Sequence, residues 1–165
     1  MLTSLFRYKA WANDELLSEL EKLDPIAHQA DRHTAIRIFN HTYVVDRIFA
    51  AHLSGGRHAY AAANTPETPA LDELRAAVVE SDRWYVEYAG RMTAALLAES
   101  IPFTFTDGEN GRMSREEMLI HVVTHGGYHR GAIGRILAQL SVAPPRDLFT
   151  AYLHQSEPAR RAAEK

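Results

Sequence analysis

Three of the chain's nine histidines fall within HVVTHGGYHRG, residues 121 to 131, and two of those lie on what reads as the buried stripe of a helix. The stripe runs Met118, Val122, His125, His129, Ile133, Ile136, Leu140. Residues four apart differ by about 40° around a helix and about 6 Å along it, so both imidazoles can lean toward one point. That is what a metal ion requires of two ligands on one helix. A second helical stripe, Ile38, His41, Val45, Ile48, offers a third core-facing imidazole 84 residues before His125, which only the packing of helices could bring to the other two.

Three neutral imidazoles leave a divalent ion with open positions for water or substrate, which distinguishes a catalytic-type site from a closed structural one. The competing reading is three hydrogen-bonded core histidines. Each neutral ring keeps one donor and one acceptor, and leaving one unsatisfied costs about 1 to 3 kcal/mol, so a shared cation would relieve all three acceptors together. His121 reads as a flank or supporting residue, and His28, His33, His52, His58 and His154 as surface histidines. Gly126, Gly127, Gly131 and Gly134 each cost about 1 kcal/mol against alanine inside a helix, and clearance around an ion or a close neighbouring helix would offset them. Asp46, Tyr43, Tyr128 and Asn13 are candidate pocket residues, and Arg130 a candidate partner for an anion or a carboxylate.

Four amphipathic segments must position these groups. The first spans about 3 to 23, ending near Asp24-Pro25; the second about 33 to 54, ending at Gly55-Gly56. The third starts at a Thr68-Pro69 cap and reaches about Ala98, with Leu71, Leu74, Val78, Ser81, Tyr85, Tyr88, Met92 and Ala95 on one face. Residues 101 to 113 alternate and then turn, predicting a short β-hairpin. Ser114 and Glu117 form a capping box that opens the fourth helix, which runs to about Leu140. These elements predict one all-α four-helix domain over 1–154, followed by a polar tail over 155–165.

Composition removes several function classes. Eighteen Lys and Arg stand against 21 Asp and Glu, with no basic stripe, which argues against a nucleic-acid partner. The absence of cysteine excludes disulfides, zinc thiolates and a protein thiol nucleophile. No run reaches membrane-spanning length and the start lacks a signal-peptide pattern, so the expectation is a cytoplasmic protein without a membrane partner. Paired Glu-x-x-His motifs of di-iron bundles are missing, and so is the HExxH motif of metalloproteases.

YKAWANDELL (8 to 17), FNHTYVVDRIF (39 to 49) and HVVTHGGYHRGAIGRIL (121 to 137) together resemble the DinB family, within the larger DinB/YfiT-like group; PRDLFTAYL (145 to 153) is similar to the family's closing segment. The resemblance implies an up-down-down-up four-helix bundle and a homodimer. It also implies a divalent metal held by His41, His125 and His129, the three residues chosen above from their stripes. Zinc or nickel suits three imidazoles better than iron or manganese. The related group includes transferases and isomerases that use small thiols, so the resemblance implies a small-molecule substrate with a low-molecular-weight thiol as one candidate; hydrolysis and non-catalytic metal binding are the alternatives.

Overall fold

A computed structural model describes residues 1–161. Four long helices form the frame: α1 (Leu2–Lys22), α2 (Gln29–Leu53), α3 (Leu71–Gly90) and α5 (Arg115–Gln139). Between the last two lie a short helix, α4 (Ala94–Leu97), and an antiparallel hairpin of β1 (Ser100–Thr104) and β2 (Asn110–Ser114). The closing segment carries α6 (Phe149–Ser156) and a 3-10 turn over Pro158–Arg161.

Side-chain pairs give the helix directions. Phe6 stacks on Tyr85 and Asp14 pairs with Arg75, so α1 and α3 run antiparallel. Phe49 stacks on His121 and His41 meets His129, so α2 and α5 are antiparallel too. Arg130 bonds Asn13, whereas Gly126 lies beside Lys9, so α1 and α5 are parallel. The result is the up-down-down-up bundle, with the hairpin inserted before its last long helix.

Local chemistry explains the ends. Asp24 accepts from the backbone N–H groups of Ile26 and Ala27, turning the chain into α2 four residues earlier than its apolar periodicity indicates. The first turn of α2 is solvent-facing and carries no pattern to read. Thr68 does not cap α3; its hydroxyl pairs with His33 and Ala70 takes the cap position. At the other end α3 stops at Gly90, short of Ala98, because Thr93 accepts from Leu96 N–H and nucleates α4 instead. Met92 and Ala95 therefore lie outside α3. The Ser114–Glu117 capping box is formed in both directions, at 3.1 and 2.6 Å, and satisfies two of the donors a helix start leaves free. Arg115, the next residue, donates to the Leu53 carbonyl at 2.6 Å and so ties the start of α5 to the end of α2.

The core is two apolar clusters, one around Phe6, Phe49, Tyr85, Met118 and Val122, the other around Leu17, Phe39, Leu74, Ile133 and Leu137. Between them each long helix contributes buried polar residues: Lys9 and Asn13, Asp46, Asp82, and Arg130. Lys9, with 0% of its surface exposed, donates to Asp46 and Asp82 at 2.7 Å each. Asn13 links Asp82 to Arg130, and Arg130 pairs with Asp147, which also accepts from Tyr8. Through Asp147, and through Phe149 and Tyr152 packed on Tyr8 and Trp11, the closing segment is fastened to α1.

Candidate metal centre

At the level of that polar layer, on the α2–α5 side, His41, His125 and His129 come together: one ring nitrogen from each lies within 4.8 Å of the others. His41 Nε2 is 3.1 Å from His125 Nε2, and the His125 and His129 rings are 4.4 Å apart between centroids. The i, i+4 spacing on α5 and the antiparallel crossing of α2 produce this convergence.

The orientation of His41 is set from outside the helices. Its Nδ1 lies 2.6 Å from the Ala63 carbonyl, which can only accept, so the ring proton sits on Nδ1 and the Nε2 lone pair faces the other histidines. Ala63 is held there by a polar clasp between α2 and the loop to α3. Asn40 donates to Asn64 and Thr65, Asn64 donates to the Arg37 carbonyl, and Arg37 donates to the Thr65 carbonyl. That loop was not singled out in the sequence; the polar run Asn64-Thr65 beside Asn40 is its one local signal.

The electrostatics oppose protonation. Burial, then the neighbouring His129 and His41, lower the pKa of His125 to about 3. Burial and His41 lower that of His129 as well. The buried Lys9 ammonium adds to the effect at His125. Neutral imidazoles are the form that ligates a metal, and His125 Nδ1 is a buried ring nitrogen with no hydrogen-bond partner. The donor set fits a borderline-soft divalent ion.

Several expectations change on contact with the structure. His125 and His129 are half-buried at the flank of the core, because the innermost seats of α5 belong to Gly126 and Arg130. Gly126 and Gly134 make room for neighbouring side chains. A Cβ on Gly126 would lie 3.1 Å from Arg130 Nη1 and 3.4 Å from Lys9 Cε, so its room is used by the buried cations. Gly134 faces Pro144, and Gly131 meets nothing within 4 Å.

His121 stands beside the group, stacked on His125 and Phe49 with centroids 5.2 and 4.7 Å away. His52 and His58, expected at the surface, are half-buried and in edge contact with each other; His28 and His154 are also half-buried. Asp46 and Asn13 belong to the Lys9 layer, Tyr43 is half-buried, and Tyr128 is exposed beside His129. Arg130 takes the carboxylate role, on Asp147. Lys9 and Asp82 were not foreseen; Lys9 four residues before Asn13, in register with Phe6 and Leu16, is a polar stripe that could have revealed them.

Two openings reach the group. One is a groove of about 320 Å³ lined by Thr34, Arg37, Ile38, His41, Asn64 and His129. The other, of about 210 Å³, is an apolar pocket ending on His125 and Ala63. No described helix is long and apolar enough to cross a membrane.

The chain is similar to "Protein DinB" of Bacillus subtilis (strain 168), 25% identical over 162 aligned positions that cover 93% of this chain and 94% of the relative. No solved structure matches. The sequence model described as "DinB family" matches residues 1–161, and the chain therefore belongs to the DinB family.

Proposed function

We propose that the chain is a metal-dependent enzyme in which His41, His125 and His129 hold one divalent ion, zinc or nickel, and present it to a small-molecule substrate. The observation that carries this reading is the convergence of three imidazoles, with His125 and His129 disfavoured from protonation and His41 turned toward them by the Ala63 carbonyl. Such an ion supplies the Lewis acidity that makes a water or an incoming thiol nucleophilic near neutral pH. The chain has no cysteine, so a thiol would come as a low-molecular-weight cosubstrate.

The chain's own residues supply the rest. The Arg37–Asn40–Asn64–Thr65 clasp keeps His41 oriented, and the buried Lys9 works against proton competition at His125. The two openings support turnover over a purely structural ion, since both end on the histidines. The homodimer that the family resemblance implies is part of the reading and is measured by light scattering.

The test is turnover by zinc- or nickel-loaded protein with a panel of small thiols and electrophiles, expected to be lost in His129→Ala. Full metal occupancy without turnover, coupled to a large metal-dependent rise in melting temperature, would instead establish a metal-stabilised bundle without catalysis.

A further inference from the structure

The two openings differ in chemistry. The groove that reaches His41 and His129 carries Arg37, Asn64 and Thr34. The pocket that reaches His125 is walled by Val45, Ile48 and Phe49 of α2 and by Phe103 and Phe105 of the hairpin; His52, His121 and Thr106 are its other polar members, and no carboxylate, ammonium or guanidinium lines it. Its volume of about 210 Å³ exceeds the roughly 150 Å³ of an apolar cavity known to hold a benzene ring.

The hairpin wall has a built feature. Gly111 stands opposite Phe103 in the strand register. A Cβ at 111 would lie 2.6 Å from Phe103 Cζ and 2.9 Å from Phe105 Cε2, so only bare backbone lets the two rings fold over that face together, 4.8 Å apart. Phe103 is buried in the core cluster and fixed, whereas Phe105 is 50% exposed at the rim. A half-exposed aromatic held at the mouth of an apolar pocket gains cover when an apolar ligand enters.

We propose that this pocket binds the uncharged apolar part of the substrate, an aromatic ring or a branched alkyl group of similar bulk, with the substrate's polar end directed at the three histidines. The placement of the polar end rests on the metal reading above; the pocket itself does not. The assignment makes the site selective for an aryl-bearing or bulky alkyl-bearing electrophile. The polar groove on the other side is left for charged groups.

Two titrations test this. Indole, an uncharged ring system, is titrated into protein stripped of metal by a chelator. Saturable one-to-one binding is expected, weakened at least about tenfold by Ile48→Trp, which fills the pocket, and at least about threefold by Phe105→Ala. Phe105 is exposed enough that its removal leaves the core intact, so the proposal remains testable if Ile48→Trp fails to fold. Absence of saturable indole binding, or binding unchanged by Phe105→Ala, would overturn the pocket.

Benzohydroxamate and acetohydroxamate are then compared on zinc-loaded protein. Preference for the aryl compound by at least about tenfold, reduced in Phe105→Ala, is expected; equal affinities would overturn the joint use of pocket and histidines. Indole binding in a protein that takes up no zinc would defeat the metal reading while leaving the pocket in place.

Discussion

His41 and His125 face each other Nε2 to Nε2 at 3.1 Å across the α2–α5 interface. His41 donates its Nδ1–H to the Ala63 carbonyl, so its Nε2 is a lone pair. Opposite it, His125 Nε2 either carries a proton, with Nδ1 left as a buried unpartnered acceptor, or is itself a lone pair, with Nδ1–H a buried unpartnered donor. A cation between the rings and His129 relieves the facing lone pairs of the second arrangement. This pairing ties the metal reading to two particular nitrogens.

The pH dependence of stability follows from the same group. Folded His125 stays neutral down to about pH 3, whereas an imidazole in the unfolded chain takes up its proton near 6.5. Between those values the unfolded state holds the extra proton, so the stability contributed by a neutral His125 is whole above pH 6.5 and declines as pH falls toward 3. Asp46, pushed up to about 6 by burial, has the opposite slope below that value, but it is common to wild type and His125→Gln. The melting temperature of metal-free wild type minus that of His125→Gln is therefore expected to fall steadily from pH 7.5 to 4.5. A constant difference would contradict a neutral, desolvated His125.

Lys9→Met should be among the most damaging single changes. It removes the one ammonium shared by Asp46 and Asp82 and leaves two carboxylates in the core, a loss of about 3 to 5 kcal/mol. Urea denaturation at pH 7 measures it. Adding Asp46→Asn and Asp82→Asn to Lys9→Met is expected to restore more than half of the loss, since no uncompensated charge then remains. A cost below about 1 kcal/mol, the range of exposed pairs, would contradict the buried network.

The contrast between this network and the histidines shows what the sequence made legible. Apolar periodicity, Asp24-Pro25 and the Ser114 capping box were enough for four helices, the hairpin and their order. His41, His125 and His129 were visible because their spacing coincides with helical stripes, and the structure brings all three together. Lys9 and Asp82 were not visible, because a buried ion pair looks like an interruption of an apolar face until its partner helix is in place. The same blindness put His125 and His129 at the centre of the α5 stripe, where Gly126 and Arg130 sit. Helix ends governed by single side-chain bonds, such as Thr93 to Leu96, compete too closely for periodicity to decide.

The glycines of α5 separate by what a methyl group would meet. Gly131 has nothing within 4 Å of an added Cβ, so Gly131→Ala is expected to stabilise the protein by about 0.5 to 1 kcal/mol through helix propensity and a less flexible unfolded chain. Gly126→Ala meets Arg130 Nη1 at 3.1 Å and Lys9 Cε at 3.4 Å, so its gain should be smaller or reversed. Chemical denaturation midpoints check the order. Destabilisation by Gly131→Ala would mean that its open face is in use.

The most direct measurement is the metal content of protein purified without a histidine tag, by elemental analysis, for wild type and His41→Ala. A site built from both helices predicts close to one zinc or nickel per wild-type chain, and a loss of most of it when His41 is removed while His125 and His129 remain. Equal metal content in the two proteins, or none in either after growth with both metals supplied, would contradict the three-histidine centre.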